Sequence, residues 1–216
     1  MRRRVHILPS AAPGFTPPPI IRRPPSHASR LFRASRILPF LYLGNMLDTT
    51  LSRDIADAGI KMVLSVCRDP PPSLPENIRH LHLILADQPD APIGDVIEDA
   101  ARFIDIAYAN NTTILVHCME GISRSSSMVI YWLMSRMRMS YDDAFRYVLS
   151  IRSIISPNLG FLVFLQNKSN QMGLENSTRP SMLPPSPLWS YPNDLSGYSP
   201  PIPEFAPPPP LATLTV

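Results

Sequence analysis

Residues 113–137 read TILVHCMEGISRSSSMVIYWLMSRM, and they decide the fold. The opening TILV (113–116) is a short apolar run of the kind found in a strand buried on both faces. Residues 126–137 are apolar nearly all round, which predicts a buried helix. Between them lie His117-Cys118-Met119-Glu120-Gly121-Ile122-Ser123-Arg124-Ser125. The unit is therefore strand, loop, helix, with a cysteine at the strand end and an arginine six residues later at the helix start. Successive backbone N–H groups in such a loop can turn inward and form an anion cradle. The helix N-terminus adds its positive end. Gly121 permits a turn that other residues resist, and the planar fork of Arg124 can hold two phosphate oxygens. A cysteine at the centre of this cradle has its thiolate stabilised. It becomes a charged nucleophile beneath a bound phosphate. Taken alone, Cys118 would read as a small buried hydrophobe. Its company of Gly121, Arg124 and Ser125 at a strand–helix junction argues for chemistry.

Outward from this stretch, two kinds of pattern alternate. Residues 37–43 form a short apolar run, and 49–58 carry Leu51, Ile55 and Ala58 at helical spacing. KMVLSV (61–66) and IRHLHLIL (78–85) read as strands. Residues 96–108 place Val96, Ala100, Phe103, Ile104 and Ala107 on one helical face. Ser140 is placed to cap a helix whose first turn holds Asp142 and Asp143, where the helix dipole favours acids. Asn158, after Pro157, opens a last helix at 159–171. Strands alternating with helices predict an α/β domain, with a central, mostly parallel sheet flanked by helices.

Charge and proline mark the limits of that domain. The 216 residues carry a formal charge of +3. Residues 1–47 hold eight arginines and no acid, so the remainder is at −5. Twenty of the 27 prolines fall in 1–39 and 180–216. Such ends bury little apolar surface per residue and are expected to be disordered arms. The expected organisation is a basic Pro/Arg-rich arm at 1–35, a catalytic domain at 36–172 and a Pro-rich tail at 173–216. Two cysteines, Cys67 and Cys118, exclude a disulfide scaffold and a four-cysteine zinc ribbon. No apolar run approaches the roughly 18–20 residues of a membrane span. No nucleic-acid partner, metal or cofactor is expected. A reducing cytoplasmic or nuclear setting fits better than a mitochondrial one, because the prolines of the first arm oppose a transit helix.

HCMEGISRS is similar to the HCxxGxSRS signature of the cysteine-dependent protein phosphatases. The wider resemblance is to the atypical dual-specificity phosphatases of the protein tyrosine phosphatase superfamily. It runs from about residue 37 to 171. ILPFLYLGN (37–45) resembles the family's first strand, LADQPDAPI (85–93) its general-acid loop and SPNLGF (156–161) the segment before its last helix. The resemblance implies a protein tyrosine phosphatase-like fold. It also implies a phosphatase acting on phosphotyrosine and phosphoserine or phosphothreonine through a phosphocysteine. In that scheme Cys118 is the nucleophile. Arg124 and the N–H groups of Met119, Glu120, Gly121, Ile122, Ser123 and Arg124 bind phosphate. Ser125 hydrogen-bonds the sulfur, and His117 orients the loop. The acid loop offers Asp87 and Asp90, and the family pattern aligns with Asp87. Asn158 matches an asparagine that supports the loop, and capping the last helix is an equal reading of it.

Two other functions compete with that one. One is a phosphoprotein-binding module without turnover. The other keeps the chemistry but acts on phosphoinositides or RNA 5′-phosphates. The loop MEGIS contains no lysine, and Glu120 makes it more acidic, which disfavours polyanions. Cys67, at the end of the 61–66 strand, reads as an inert core thiol, with a disulfide to an oxidised Cys118 as the alternative. In the arms, Arg2-Arg3-Arg4-Val5-His6-Ile7-Leu8 resembles a docking peptide for mitogen-activated protein kinases. The Pro-rich tail is compatible with SH3- or WW-type partners.

Overall fold

The computed structural model describes residues 31–174. The basic cluster at 2–8 and the proline-rich tail, with the partners suggested for them, lie outside the described residues. The element order is β1 (Ser35–Leu38), β2 (Leu41–Gly44), α1 (Met46–Thr50), α2 (Ser52–Asp57), β3 (Ile60–Val66) and β4 (Arg79–Leu83). A 3-10 turn (Ile93–Asp95) follows, then α3 (Ile97–Ala109), β5 (Thr113–His117), α4 (Arg124–Met137), α5 (Tyr141–Ile151) and α6 (Leu159–Gln171). The sheet order is β1-β2-β5-β3-β4. Strands β2, β5, β3 and β4 run parallel, and β1 is antiparallel to β2. The mostly parallel α/β sheet read from the alternating patterns is the one observed.

Burial of both faces explains the unbroken apolar run of β5. Ile114 and Val116 join the main core with residues of α3, α4, α5 and α6. Leu115 points the other way, into a smaller cluster with Ile55 of α2, Ile60 and Val63. The C-terminal end of β5, in the middle of the sheet, is where the phosphate-type loop begins. Helix α4 is buried from Ser125 to Met134, as its all-round apolar sequence requires. Trp132 of α4 donates its indole N–H to Asp105 on α3 at 2.9 Å, and Arg136 of the same helix pairs with that carboxylate at 2.9 Å.

Two elements differ from the sequence reading. The apolar run 37–43 is a tight antiparallel pair, because the chain turns at Pro39 and Phe40. Pro39 has no N–H to give to a ladder, and its carbonyl accepts from Arg36 Nη2 at 2.7 Å. The single helix expected over 49–58 is two short ones that break at Leu51. A capping box starts the first of them early. Asn45 Oδ1 accepts from Asp48 N at 3.0 Å, and Asp48 Oδ2 accepts from Asn45 N at 2.8 Å.

Candidate active site

Cys118 follows the last residue of β5, and Arg124 is the first residue of α4, so loop 118–123 spans from the sheet to the helix start. Its geometry is set by what holds its carbonyls. The Cys118 oxygen lies 3.2 Å from His117 Nδ1. The Met119 oxygen accepts from the N–H of Met46 at 3.1 Å. Arg152 takes the next two, with Nη2 3.4 Å from the Glu120 oxygen and Nε 2.8 Å from the Gly121 oxygen. The Ile122 oxygen accepts from Ser156 N at 2.9 Å. A trans peptide points its N–H opposite to its C=O. Each carbonyl held on the outside therefore turns the N–H of the following residue away from that partner. The five N–H groups from Met119 to Ser123 are oriented in this way. One has its acceptor in view: Gly121 N donates to Cys118 Sγ at 3.2 Å.

The sulfur also accepts from Ser125 Oγ at 3.2 Å. Cys118 and Ser125 are both buried. Gly121 has φ +70°, and a Cβ built there would fall on the Gly44 carbonyl and 2.6 Å from Arg152 Nη2. The position therefore needs glycine for its backbone and also for its space.

The loop after β4 brings Asp87 over this cradle. Asp87 Oδ1 accepts from Ser123 Oγ at 2.7 Å and from Asn158 Nδ2 at 2.8 Å. Its Oδ2 lies 3.4 Å from Arg124 Nε. Arg124 Nη1 reaches the Leu85 carbonyl at 3.3 Å. Asn158 serves twice, since its Oδ1 accepts from Phe161 N at 3.1 Å and caps α6. Its own N–H donates to Ser123 Oγ at 3.1 Å. Of the two carboxylates offered by the sequence, Asp87 is thus the one joined to the loop and to α6. Gly160 lets this happen, because a Cβ there would overlap the Pro89 backbone of the same acid loop.

His117 is fully buried. Burial pulls its imidazole down to about 4, against a weaker upward pull from the Cys118 carbonyl. The ring is therefore neutral at pH 7 and lies against the first peptide of the loop. Burial also pushes the Cys67 thiol up to about 11, and Cys67 Sγ donates to the Asp69 carbonyl at 2.9 Å.

The structure brings together every residue that the sequence put at the site: His117, Cys118, Met119 to Ser123, Arg124, Ser125, Asp87 and Asn158. Ser123 sits in the loop as expected, and its hydroxyl is bound to Asp87. Two residues escaped the sequence reading. Arg152 is a buried cation in an apolar setting, IRSII (151–155), and that incongruity was its one signal. Ser65, buried in β3, bonds His117 Nε2 at 2.6 Å, and its sequence context gives no hint of this. Among the described residues, no group of three or more His, Cys, Asp or Glu could hold a metal. No helix of theirs is long and apolar enough to cross a membrane.

A thiol in a loop with outward carbonyls, closed by an arginine at a helix start on a parallel sheet, defines the cysteine-dependent phosphatase class. Within that class the chain belongs to the dual-specificity phosphatases. The family model "Dual specificity phosphatase, catalytic domain" matches residues 41–171. Human dual specificity protein phosphatase 6 is 35% identical over 143 residues, covering 65% of this chain and 37% of that protein. A Xenopus laevis Slingshot homolog phosphatase is 30% identical over 169 residues, covering 76% of this chain and 24% of that protein. The chain thus matches well under half the length of these relatives. Among solved structures, a mouse putative dual specificity phosphatase complexed with zinc tungstate superposes with TM-score 0.63. It is 29% identical, over 68% of this chain and 92% of that one. The human tyrosine phosphatase-like serine/threonine/tyrosine-interacting protein gives TM-score 0.61 and 31% identity, over 64% of this chain and 97% of that one.

Proposed function

We propose that this chain hydrolyses phosphotyrosine and phosphoserine or phosphothreonine in proteins through a phosphocysteine intermediate. The observation that carries the reading is the placement of Cys118 Sγ. It takes the Gly121 N–H and the Ser125 O–H inside a loop whose N–H groups are turned by five held carbonyls. Such preset donors stabilise the charge that develops on transferred phosphoryl oxygens. Arg124, at the helix start, supplies the charged fork.

In the first step the Cys118 thiolate attacks phosphorus. The S–P bond forms and the P–O bond to the leaving oxygen breaks. The Asp87 carboxyl gives its proton to that oxygen. Asp87 Oδ1 already holds two donors, while Oδ2 has only the longer 3.4 Å ion pair with Arg124, so Oδ2 is the oxygen to carry the proton. In the second step Asp87 takes a proton from water, the water oxygen attacks phosphorus and the S–P bond breaks. Ser125 O–H then receives the departing thiolate. The loop side chains Met119 and Glu120 are exposed, and Glu120 opposes a polyanionic substrate. This favours protein phosphomonoesters over phosphoinositides and RNA ends.

The test is hydrolysis of para-nitrophenyl phosphate by freshly reduced protein in EDTA, beside Cys118→Ser. Hydrolysis by the wild type that is lost in the variant supports the thiolate route. Failure of the wild type, with phosphopeptide binding retained, would replace the enzyme with a binding module.

A further inference from the structure

His117 does not act alone: a line of hydrogen bonds runs from it across the sheet to the surface. Ser65 Oγ lies 2.6 Å from His117 Nε2 and 2.8 Å from His80 Nε2. The strand register places Ser65 of β3 opposite His117 of β5 and opposite His82 of β4. His80, two residues before His82, therefore shares the same face and reaches Ser65 diagonally. Ser65 and His117 are buried, and His80 is exposed.

The direction of every proton in this line follows from its two ends. A carbonyl oxygen only accepts. The Cys118 oxygen faces His117 Nδ1 at 3.2 Å, so Nδ1 carries the hydrogen. The buried ring is neutral, so Nε2 is left as an acceptor. Ser65 must then donate its hydroxyl proton to Nε2. The remaining capacity of Ser65 Oγ toward His80 is as an acceptor, so His80 Nε2 must donate. The line reads His80 N–H to Ser65 O–H to His117, then His117 N–H to the Cys118 carbonyl.

We infer that Ser65 and His80 are positioning residues that lock His117 in its Nδ1–H tautomer and so hold the first peptide of the phosphate loop. The other tautomer would set a ring lone pair against the Cys118 carbonyl lone pairs. The peptide would swing, and the Met119 N–H at its far end would swing with it. Misplacement of about 1 Å in such a site can cost around a hundredfold in rate. The catalytic part of this inference rests on the proposed phosphatase activity, and the tautomer does not.

The experiment reads both separately. Full-length protein labelled with 15N histidine is examined by long-range proton–nitrogen NMR, which tells Nδ1–H from Nε2–H rings. Phosphate release is measured on the same samples. Ser65→Ala should move His117 out of the pure Nδ1–H form and lower kcat by ten- to a hundredfold, with KM little changed. His80→Phe, at an exposed position, should do the same more weakly. His80→Gln, whose side-chain amide donates in place of Nε2–H, should restore both readings. The exposed His80 pair keeps the test usable if Ser65→Ala does not fold. An unchanged His117 tautomer in His80→Phe and Ser65→Ala would overturn the inference. So would a shifted tautomer with wild-type kcat. A tautomer shift in the variants, with no activity even in the wild type, would uphold the lock and instead reject the phosphatase reading.

Discussion

Arg152 and Cys118 grip opposite ends of one peptide unit. The bond between Glu120 and Gly121 presents its carbonyl to Arg152 Nη2 at 3.4 Å and its N–H to Cys118 Sγ at 3.2 Å. Planarity makes the two contacts a single mechanical link. Arg152 follows α5, more than thirty residues beyond the loop it shapes, and also reaches back to the Arg33 carbonyl at 2.8 Å. Burial pulls its guanidinium down from the usual arginine range, with the charges of Asp48 and Cys118 opposing that pull. A buried cation is thereby held against the loop that carries Cys118.

Replacing Arg152 should therefore damage stability and rate together. Arg152→Met leaves the carbonyls of Gly121, Glu120 and Arg33 without their partner. The Gly121 carbonyl is buried, and a buried polar group so stranded costs about 1–3 kcal/mol, while the carbonyls of exposed Glu120 and Arg33 cost less. Thermal melting should show a drop of many degrees, and phosphate release should fall by at least a hundredfold at temperatures where the variant is folded. Arg152→Lys keeps the charge but not the fork, and should lie between the two. A variant with wild-type kcat would show that the loop keeps its shape unaided.

The acid loop yields a graded series. Asp87→Asn removes the proposed proton donor and should cost roughly 10²–10⁴ in rate on phosphotyrosine peptides. The loss should be smaller on an activated aryl phosphate, whose leaving oxygen needs less protonation. Asn158→Ala keeps the acid but removes one of its two anchors and a helix cap worth about 1 kcal/mol. It should lower the rate less than Asp87→Asn while lowering the melting temperature. Asp90→Asn should do neither. Equal losses from Asp87→Asn and Asp90→Asn would remove the assignment of the acid.

The parts legible in the sequence were those fixed by local pattern. The run 113–137 announces its strand, loop and helix because burial and the turn impose residue types within a few positions. Ser140 and Asn158 were legible as caps for the same reason, and the structure shows Ser140 Oγ accepting from Asp143 N at 3.1 Å. What escaped was set by chain crossings. Arg152 meets Gly121 across 31 positions, and Ser65 meets His117 across 52. No periodicity carries that information, because it depends on which strand ends the sheet brings side by side. The break at Leu51 escaped for a different reason. Helical spacing in 49–58 outweighed a cap at Asn45 that started the turn early.

His117 should make stability fall in mild acid. The unfolded imidazole titrates near 6.5, and burial moves the folded one to about 4. Between these values the unfolded chain binds more protons than the folded one, so stability rises with pH across that window. His117 contributes fully above pH 6.5, and its contribution is lost as the pH drops toward 4. The full shift corresponds to about 3 kcal/mol. Urea unfolding at pH 7, 6, 5 and 4.5 should show this loss, and His117→Gln should flatten the curve over that range. An unchanged slope in the variant would place the acid sensitivity elsewhere.

The two thiols should separate in reactivity. Cys67 is fully buried, its Sγ–H is held by the Asp69 carbonyl, and desolvation moves it up to about 11. Its thiolate, the reactive form, is scarce at neutral pH. Cys118 is buried too, but its sulfur accepts from two donors, and the next residue, Met119, is exposed. Brief iodoacetamide treatment at pH 7, followed by peptide mass mapping, should label Cys118 and leave Cys67 unmodified. Bound phosphate or vanadate should protect Cys118, since the anion would fill the cradle above the sulfur. Unfolding in urea should expose Cys67 to the same reagent and abolish the protection of Cys118. Comparable labelling of both cysteines in the native protein would contradict the burial of Cys67. It would also restore a redox partnership between the two thiols as the explanation for its place at the end of β3.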